Sequence, residues 1–238
     1  MFAHTSEAKP FKGLGMEGAV AKWYSALTHK SLDRYQQLAR YTAEHLATGS
    51  RVLEVAPGPG YFAIELAKLG DYRITGLDIS KTFVEIARAN AAKANAQIDF
   101  LHGNASAMSF PNDSFDFLVC SAAFKNFTEP QRALEEMHRV LRPGGQALIV
   151  DLRKDASKES IRQAIREMRV SRLNAIITNL TFQHMLLKRA YTRQGIEALI
   201  AQSPFGKARI RENLIALEIL LTKGSAGQAD NLVTPLWF

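Results

Sequence analysis

Short apolar runs and longer amphipathic stretches alternate through the middle of the chain. Each apolar run is bounded by glycine, proline or polar residues, which is the pattern of a buried strand. The runs predict five strands, at 52–55, 73–78, 98–102, 115–121 and 146–151. Stretches with helical spacing follow several of them, at 63–69, 82–95 and 130–141. This alternation is typical of a parallel sheet with helices on both faces.

The two ends of the chain carry different patterns. Residues 1–15 are mainly polar, whereas apolar residues recur at helical spacing from 16 to 45. Because this part precedes the first strand, we predict that residues 1–48 form an N-terminal arm and a helical cover. After the fifth strand, residues 155–190 contain no glycine or proline, which predicts a helical cap insertion broken near 174–181. Thr192 is the predicted N-cap of a further helix.

Two final apolar runs complete the predicted sheet. They lie at 207–211 and 214–222 and are too close for a helical crossover, so we predict a hairpin. The predicted fold is therefore α/β. It is a Rossmann-like, doubly wound, seven-stranded sheet, mostly parallel, with an antiparallel strand in its C-terminal hairpin. We expect residues 49–223 to form this domain and residues 224–238 to form a tail.

Composition and charge narrow the class of protein. With 238 residues and 47% hydrophobic content, the chain can bury one substantial core. No apolar run approaches the roughly 18 residues that a membrane span needs, and the N-terminus lacks an apolar signal core. We therefore expect a soluble, cytoplasmic protein. The single cysteine, Cys120, follows Leu118 and Val119 and is expected to be buried.

The net charge of +7 is concentrated in the last third of the chain. Within the predicted insertion, Lys158, Arg162, Arg166 and Arg169 fall on one helical stripe. This stripe is either a solvated face or a surface that binds an anionic small molecule or a membrane. Nucleic acid is disfavoured because aromatic residues for base stacking are not interleaved with the basic ones. RNA stays a minor alternative as the binding partner.

A glycine turn follows the first strand and is the strongest candidate for a ligand site. Gly58 and Gly60 permit close approach of the backbone to a ligand, and Asp78 stands at the end of the second strand. With Ala63, these residues satisfy the dinucleotide-binding fingerprint, so an NAD(P)-dependent oxidoreductase is one alternative. Glu54 argues against it. An acid inside a buried strand must serve backbone donors or a cationic ligand.

Five motifs occur in order from about residue 51 to residue 151. They are Val52–Gly60, Gly76–Ser80, Gly103–Ala105, Phe110–Asp116 and Arg139–Gly145. Together they resemble the class I S-adenosylmethionine-dependent methyltransferases. The resemblance implies an enzyme that uses S-adenosyl-L-methionine (SAM) and releases S-adenosyl-L-homocysteine (SAH). It implies no metal site.

The resemblance also implies roles for individual residues at the cofactor. Glu54 and the backbone from Ala56 through Gly58 to Gly60 would hold the amino-acid end, and Asp78 would bind the ribose. Ala56 stands where glycine is common in that family.

The same resemblance implies contacts with the adenine. Ile79 would lie against the ring, the Asn104 amide carbonyl would accept from its amino group, and the Ala105 N–H would bind a ring nitrogen. Asn104 replaces the aspartate that is common in the family. Ser121, at the end of the fourth strand, completes the expected cofactor contacts.

The acceptor side is less well determined. Residues 120–128 resemble a segment of the ubiquinone/menaquinone C-methyltransferases, with Lys125 in place of arginine before Asn126. We expect Lys125, Asn126 and Tyr24 to line the substrate pocket, with His29 and His184 in segments that cover it. A small-molecule acceptor and in-line methyl transfer are expected, in which positioning contributes most of the acceleration. The acceptor atom, any general base and the oligomeric state stay open, as does a non-catalytic cofactor-binding module.

Overall fold

A computed structural model describes residues 12, 15–28, 32–167 and 187–224. The predicted helix break at 174–181, the candidates His29 and His184, Arg169 of the basic stripe and most of the C-terminal tail lie outside the described residues. Within them, no helix is long and apolar enough to cross a membrane.

Seven strands form one sheet in the order β3-β2-β1-β4-β5-β7-β6. Their bounds are β1 Arg51–Val55, β2 Arg73–Asp78, β3 Ile98–His102, β4 Phe115–Ser121, β5 Leu141–Leu152, β6 Arg209–Glu212 and β7 Ala216–Thr222. Strands β1 to β5 pair in parallel, and β7 runs antiparallel to both β5 and β6. The mostly parallel sheet and the antiparallel hairpin predicted from the sequence are confirmed.

Helices pack on both faces of the sheet. Their bounds are α1 Gly18–Thr28, α2 Leu32–Ala43, α3 Tyr61–Ala67, α4 Lys81–Lys93, α5 Pro130–Val140, α6 Lys158–Glu167 and α7 Arg193–Ala201. The core on one face includes residues of α2, α3 and α4, and the core on the other includes residues of α5 and α7. Helices α1 and α2 precede β1, as the pattern in the first part of the chain predicts.

Local capping explains several boundaries. Ser80 accepts a hydrogen bond from the Phe83 N–H at the start of α4, and Thr192 accepts one from Gly195 at the start of α7. The N-cap predicted at Thr192 is confirmed. Between β6 and β7, the Asn213 Oδ1 accepts the N–H groups of Ile215 and Ala216, which closes the hairpin turn.

Two predicted boundaries differ from the structure. Helix α3 begins at Tyr61, two residues before the predicted start, because Gly60 takes the left-handed conformation directly before it. Residues 142–145 lie inside β5 and do not form a turn ahead of it. The register between β4 and β5 shifts there, from Phe115 opposite Leu141 to Phe117 opposite Gln146. The Pro-Gly-Gly sequence therefore makes an irregularity within the strand.

Candidate functional site

The carboxyl ends of β1 and β2 lie side by side and lead into the glycine turn. Strand pairing places Glu54 opposite Gly76, one residue before the end of β1. The turn then takes positive φ angles at Ala56 (56°), Gly58 (55°) and Gly60 (78°). Two hydrogen bonds attach it to β2, from the Ala56 N–H to the Leu77 carbonyl (2.8 Å) and from the Gly58 N–H to Asp78 Oδ2 (2.9 Å). Neighbouring strands thus fix the backbone of the turn.

The three residues with positive φ have different environments. A Cβ on Gly60 would lie 2.7 Å from Phe100 Cζ, so packing and conformation both require glycine there. A Cβ on Gly58 would meet nothing within 4 Å, so only its conformation favours glycine. Ala56 is the exception, because a left-handed conformation costs a non-glycine residue roughly 1–2 kcal/mol. Ala56 therefore adopts the conformation that favours the glycine expected at this position.

Glu54 is the most unusual group of the site. Its side chain is buried, with 3% of the residue exposed, and its Oε2 atom has no hydrogen-bond partner among the described residues. Burial raises the pKa of this carboxyl well above its ordinary value; the Ala63 N–H opposes the shift and the nearby Asp78 carboxyl adds to it. A buried acceptor without a partner is costly, so this atom is suited to a cationic or hydrogen-bonding ligand.

Asp78 organises the loops on both sides of β2. Its Oδ2 accepts the Gly58 N–H, and its Oδ1 accepts the Ser80 N–H at 2.8 Å. Burial raises the pKa of Asp78, and these two backbone hydrogen bonds oppose the shift. Because an ionised carboxylate has about four acceptor positions, Asp78 keeps capacity for a ligand beyond these two bonds.

The residues predicted at the adenine end lie after β2 and β3. Ile79 is half-buried, and its carbonyl oxygen lies 3.1 Å from His102 Nε2. The Asn104 Oδ1 accepts the Ser106 N–H at 2.9 Å, while half-buried Ala105 packs against the core. One acceptor position of the Asn104 oxygen is therefore used within its own turn. A ligand would meet the remaining one.

The residues predicted to face the acceptor lie where β4 and β5 end. Ser121 is half-buried and pairs with Val150. Lys125 is buried, and its Nζ donates to Asp151 Oδ1 at 2.8 Å and to the Ala122 carbonyl at 2.5 Å. The Lys125 N–H also binds Asp151 Oδ2 at 2.8 Å. Lys125 thus holds a buried ion pair and does not extend into open space.

Asp151 was missed in the sequence, although a usable signal was present. It lies near the carboxyl end of the buried strand β5, as Asp78 lies at the end of β2, and carboxyl ends of parallel strands meet at one edge. Asn126 belongs to the same turn, and its carbonyl accepts the Lys12 N–H at 2.7 Å.

Helix α1 lies beside the glycine turn and over the start of α4. The Tyr24 ring packs edge-on to Phe83 at 5.9 Å, and the Tyr61 hydroxyl lies 3.2 Å from the Ser25 hydroxyl. Burial raises the pKa of Tyr24; Arg34 opposes this and Asp151 adds to it. The place of Tyr24 at a substrate pocket stays a prediction.

The residues before α1 attach it to the beginning of α4. Glu17 accepts the N–H groups of Lys81 and Thr82, each at 3.1 Å, and the Thr82 hydroxyl at 2.5 Å. The Ser80 hydroxyl donates to the Met16 carbonyl at 2.6 Å. Sequence reasoning missed this attachment, because a helix cap from 64 residues away leaves no local pattern.

The sequence of the chain is similar to that of known methyltransferases. Residues 53–149 match a family model described as a methyltransferase domain. The chain is 38% identical to a demethylmenaquinone methyltransferase of Deinococcus radiodurans over 117 residues, 48% of each protein. It is 34% identical to one of Listeria monocytogenes over 106 residues, 43% of this chain and 45% of the relative. The chain thus spans about half the length of the curated relatives it matches.

Solved structures share the fold over more of the chain. A crystal structure described as that of an S-adenosyl-L-methionine-dependent methyltransferase, from Methanococcus maripaludis, superposes with a TM-score of 0.71. It covers 90% of this chain and 96% of its own, at 20% identity. A SAM-dependent methyltransferase from Aquifex aeolicus gives a TM-score of 0.63 at 16% identity, covering 85% and 96%. Residues 53–149 are thus similar in sequence to a methyltransferase domain, and the solved structures share the fold of the larger part of the chain.

Proposed function

We propose that this chain is a SAM-dependent methyltransferase that acts on a small-molecule acceptor. The observation that carries the proposal is the buried Glu54 Oε2, directly before the glycine turn, for which the described part of the chain provides no hydrogen-bond partner. An ammonium group would satisfy this atom and stabilise the charged form of the carboxyl. The amino-acid end of SAM supplies such an ammonium. The nicotinamide dinucleotides offer no comparable group to an acid at this point.

The residues of the site suit the remaining parts of the same cofactor. The backbone at Ala56, Gly58 and Gly60 would enclose the amino-acid end beside Glu54. Asp78 has acceptor capacity left for the ribose hydroxyls. Ile79, Asn104 and Ala105 would receive the adenine, with Ser121 on the neighbouring strand.

The catalytic contribution of these residues would be positioning. When bound, SAM supplies a methyl group that its sulfonium has already activated. Glu54 would fix the amino-acid end of the cofactor and Asp78 its ribose, while α1, through Tyr24, would exclude water from the cleft. Alignment of donor and acceptor for in-line displacement would then contribute most of the acceleration. A carbon or hydroxyl acceptor must also lose one proton, to a base or to water, as the methyl group arrives.

We propose an aromatic ring of the quinol class as the acceptor. The curated relatives named above are demethylmenaquinone methyltransferases. The ends of β4 and β5 carry an aromatic group in which Phe124 lies 5.3 Å from Phe127 and 6.0 Å from Tyr191, between ring centroids. Such rings favour a flat apolar acceptor.

We also propose a division of the chain into three parts. Residues 1–48 form an arm and cover, residues 49–223 form the methyltransferase domain with a cap at about 155–190, and residues 224–238 form the tail.

The proposal is tested by following a labelled methyl group. The protein is incubated with methyl-tritiated SAM and a short-chain naphthoquinol, a benzoquinol or a short RNA. We expect label in the naphthoquinol or benzoquinol, SAH formed in equal amount, and a strong loss of both in Asp78→Ala. Tight SAH binding without transfer to any acceptor would favour a non-catalytic module. Labelled RNA with unlabelled quinols would replace the proposed acceptor class.

A further inference from the structure

Helix α1 carries an apolar stripe on its outer surface. Trp23 is 65% exposed and Val20 is 42% exposed, and both are large apolar side chains. Ala19 and Ala26 are also exposed. Because residues three and four apart lie on one face of a helix, Ala19, Val20, Trp23 and Ala26 form one outward-facing strip, here called the α1 stripe. The opposite side of α1 is fixed to the domain through buried Ala21 and half-buried Tyr24.

An exposed tryptophan beside further apolar residues marks a contact surface more often than a scattered surface residue. The ring of tryptophan favours the boundary between water and lipid, where its body is apolar and its N–H is solvated. Amphipathic helices that bind a membrane surface place such residues on one face and lysines at the flanks. The α1 stripe has this composition, since exposed Lys22 directly precedes Trp23.

The part of the sequence that contains α1 has an excess of basic residues, which favours an anionic partner. From residue 12 to residue 40 the chain carries five basic and two acidic residues. One of the two acids, Glu17, is engaged by the backbone of α4. Exposed Lys12 and Arg189 lie at the same edge of the sheet, joined by a hydrogen bond from Arg189 Nη1 to the Lys12 carbonyl at 3.1 Å. Each such lysine or arginine near an anionic bilayer strengthens binding roughly fivefold.

We propose that the α1 stripe docks this protein on the surface of an anionic phospholipid membrane. Trp23 and Val20 would enter the interface, and Lys22 with Lys12 would face the headgroups. Docking in this orientation would bring the carboxyl edge of the sheet, which carries the proposed active site, toward the lipid. An apolar acceptor could then reach the cleft without crossing water. The docking surface itself does not depend on the proposed methyl transfer.

The test is co-sedimentation of the full chain with vesicles of phosphatidylglycerol and phosphatidylcholine, without cofactor or acceptor. We expect the wild type to sediment with these vesicles and to bind pure phosphatidylcholine at least about tenfold more weakly. Trp23→Ser should weaken binding to the anionic vesicles about tenfold, the effect of leaving a large apolar side chain out of the interface. Its melting temperature should stay close to that of the wild type, since Trp23 packs little against the domain.

Leu69→Ser is the matched control. Leu69 is exposed to a similar degree as Val20, but it follows α3 at the amino edge of the sheet, away from α1. This variant should bind vesicles like the wild type. In a Trp237→Phe background, the remaining tryptophan, Trp23, should show a blue-shifted emission on the anionic vesicles.

Three results would overturn the proposal. The first is wild-type protein that stays in the supernatant, and the second is Trp23→Ser protein that sediments as well as the wild type. The third is a dimer that Trp23→Ser dissolves, because a second copy would then cover the stripe. None of these results bears on methyl transfer to a water-soluble acceptor, so the two proposals fail separately.

Discussion

Glu54 is a buried ionisable residue, and one of its carboxyl oxygens has no hydrogen-bond partner within the ranges that the structure describes. Its pKa is raised well above the ordinary value because burial disfavours the carboxylate. The folded state thus holds this proton more tightly than the unfolded chain does. Glu54 therefore contributes to the stability of the folded state below the pKa that it has in the unfolded chain. This contribution declines as the pH rises toward the pKa that it has in the folded protein. A bound cation reverses the preference, because it favours the carboxylate.

Binding of SAH should therefore release protons. Titration calorimetry in phosphate and in Tris, which differ in ionisation enthalpy, should give different apparent enthalpies at the same pH. Glu54→Gln should bind more weakly and release fewer protons, since glutamine carries none to lose; Asp78, whose pKa burial also raises, accounts for any remainder. The exposed Glu85→Gln variant of α4 serves as the control and should match the wild type. Equal enthalpies in both buffers for the wild type would contradict this role of Glu54.

The attachment of α1 depends on Glu17. Although burial opposes the shift, hydrogen bonds from Thr82 and Lys81 lower the pKa of Glu17. Glu17 therefore contributes to the stability of the folded state above the pKa that it has in the unfolded chain. This contribution is lost as the pH falls through the lower pKa that it has in the folded protein. Protonation would weaken the contact between the residues before α1 and the start of α4.

Glu17→Ala should loosen this cover without unfolding the domain. Loss of a helix-capping side chain costs about 1 kcal/mol, which corresponds to about a fivefold effect on an equilibrium. We expect SAH to dissociate up to about fivefold faster in a stopped-flow displacement experiment. Glu44→Ala, at an exposed position after α2, is the control. An unchanged dissociation rate in Glu17→Ala would show that α1 does not gate the cofactor.

The ion pair between Lys125 and Asp151 joins the ends of β4 and β5. The side chains are only 4% and 7% exposed. Lys125→Met would leave the carboxylate buried with backbone donors alone, so we expect a loss of about 3 kcal/mol in the free energy of unfolding. Urea denaturation measures it. Arg132→Met breaks an exposed pair with Glu129 and should cost less than about 1 kcal/mol. Equal losses in the two variants would mean that the buried ion pair contributes no more to the free energy of unfolding than the exposed one.

Elements with a clear period were predictable, and those set by tertiary contacts were not. The strands and α4 follow from runs of apolar residues and a capping serine, both local signals. The continuation of β5 through Pro143 and Gly144 depends on pairing of Gly144 and Gly145 with Lys223 of the distant hairpin. The basic stripe of α6 is partly neutralised, because Glu159 pairs with Arg162 and Arg166. These ion pairs favour the interpretation of the basic stripe as a solvated face of α6.

The architecture of the whole molecule explains why part of the site could be predicted. In a doubly wound sheet, the carboxyl ends of neighbouring strands meet at one edge, so Glu54 and Asp78 could be placed together from their positions in the sequence. Glu17 and Asp151 act through partners that are distant along the chain. The position of Asp151 at the end of a strand was a usable signal, but no local pattern indicated the partner of either residue. The partners of Lys125 were missed for the same reason. The sequence therefore predicted the proximity of Glu54 and Asp78 in the proposed cofactor site, but not the contacts of α1 or of Lys125.

The central claim is that this edge of the sheet binds SAM. Calorimetric titration of the purified chain with SAH and, separately, with NAD⁺ tests it most directly. We expect one SAH per chain, no heat from NAD⁺, and an affinity loss of about 1.5–3 kcal/mol in Asp78→Ala, the range for hydrogen bonds to charged groups. Saturable binding of NAD⁺ with no response to SAH would contradict the claim.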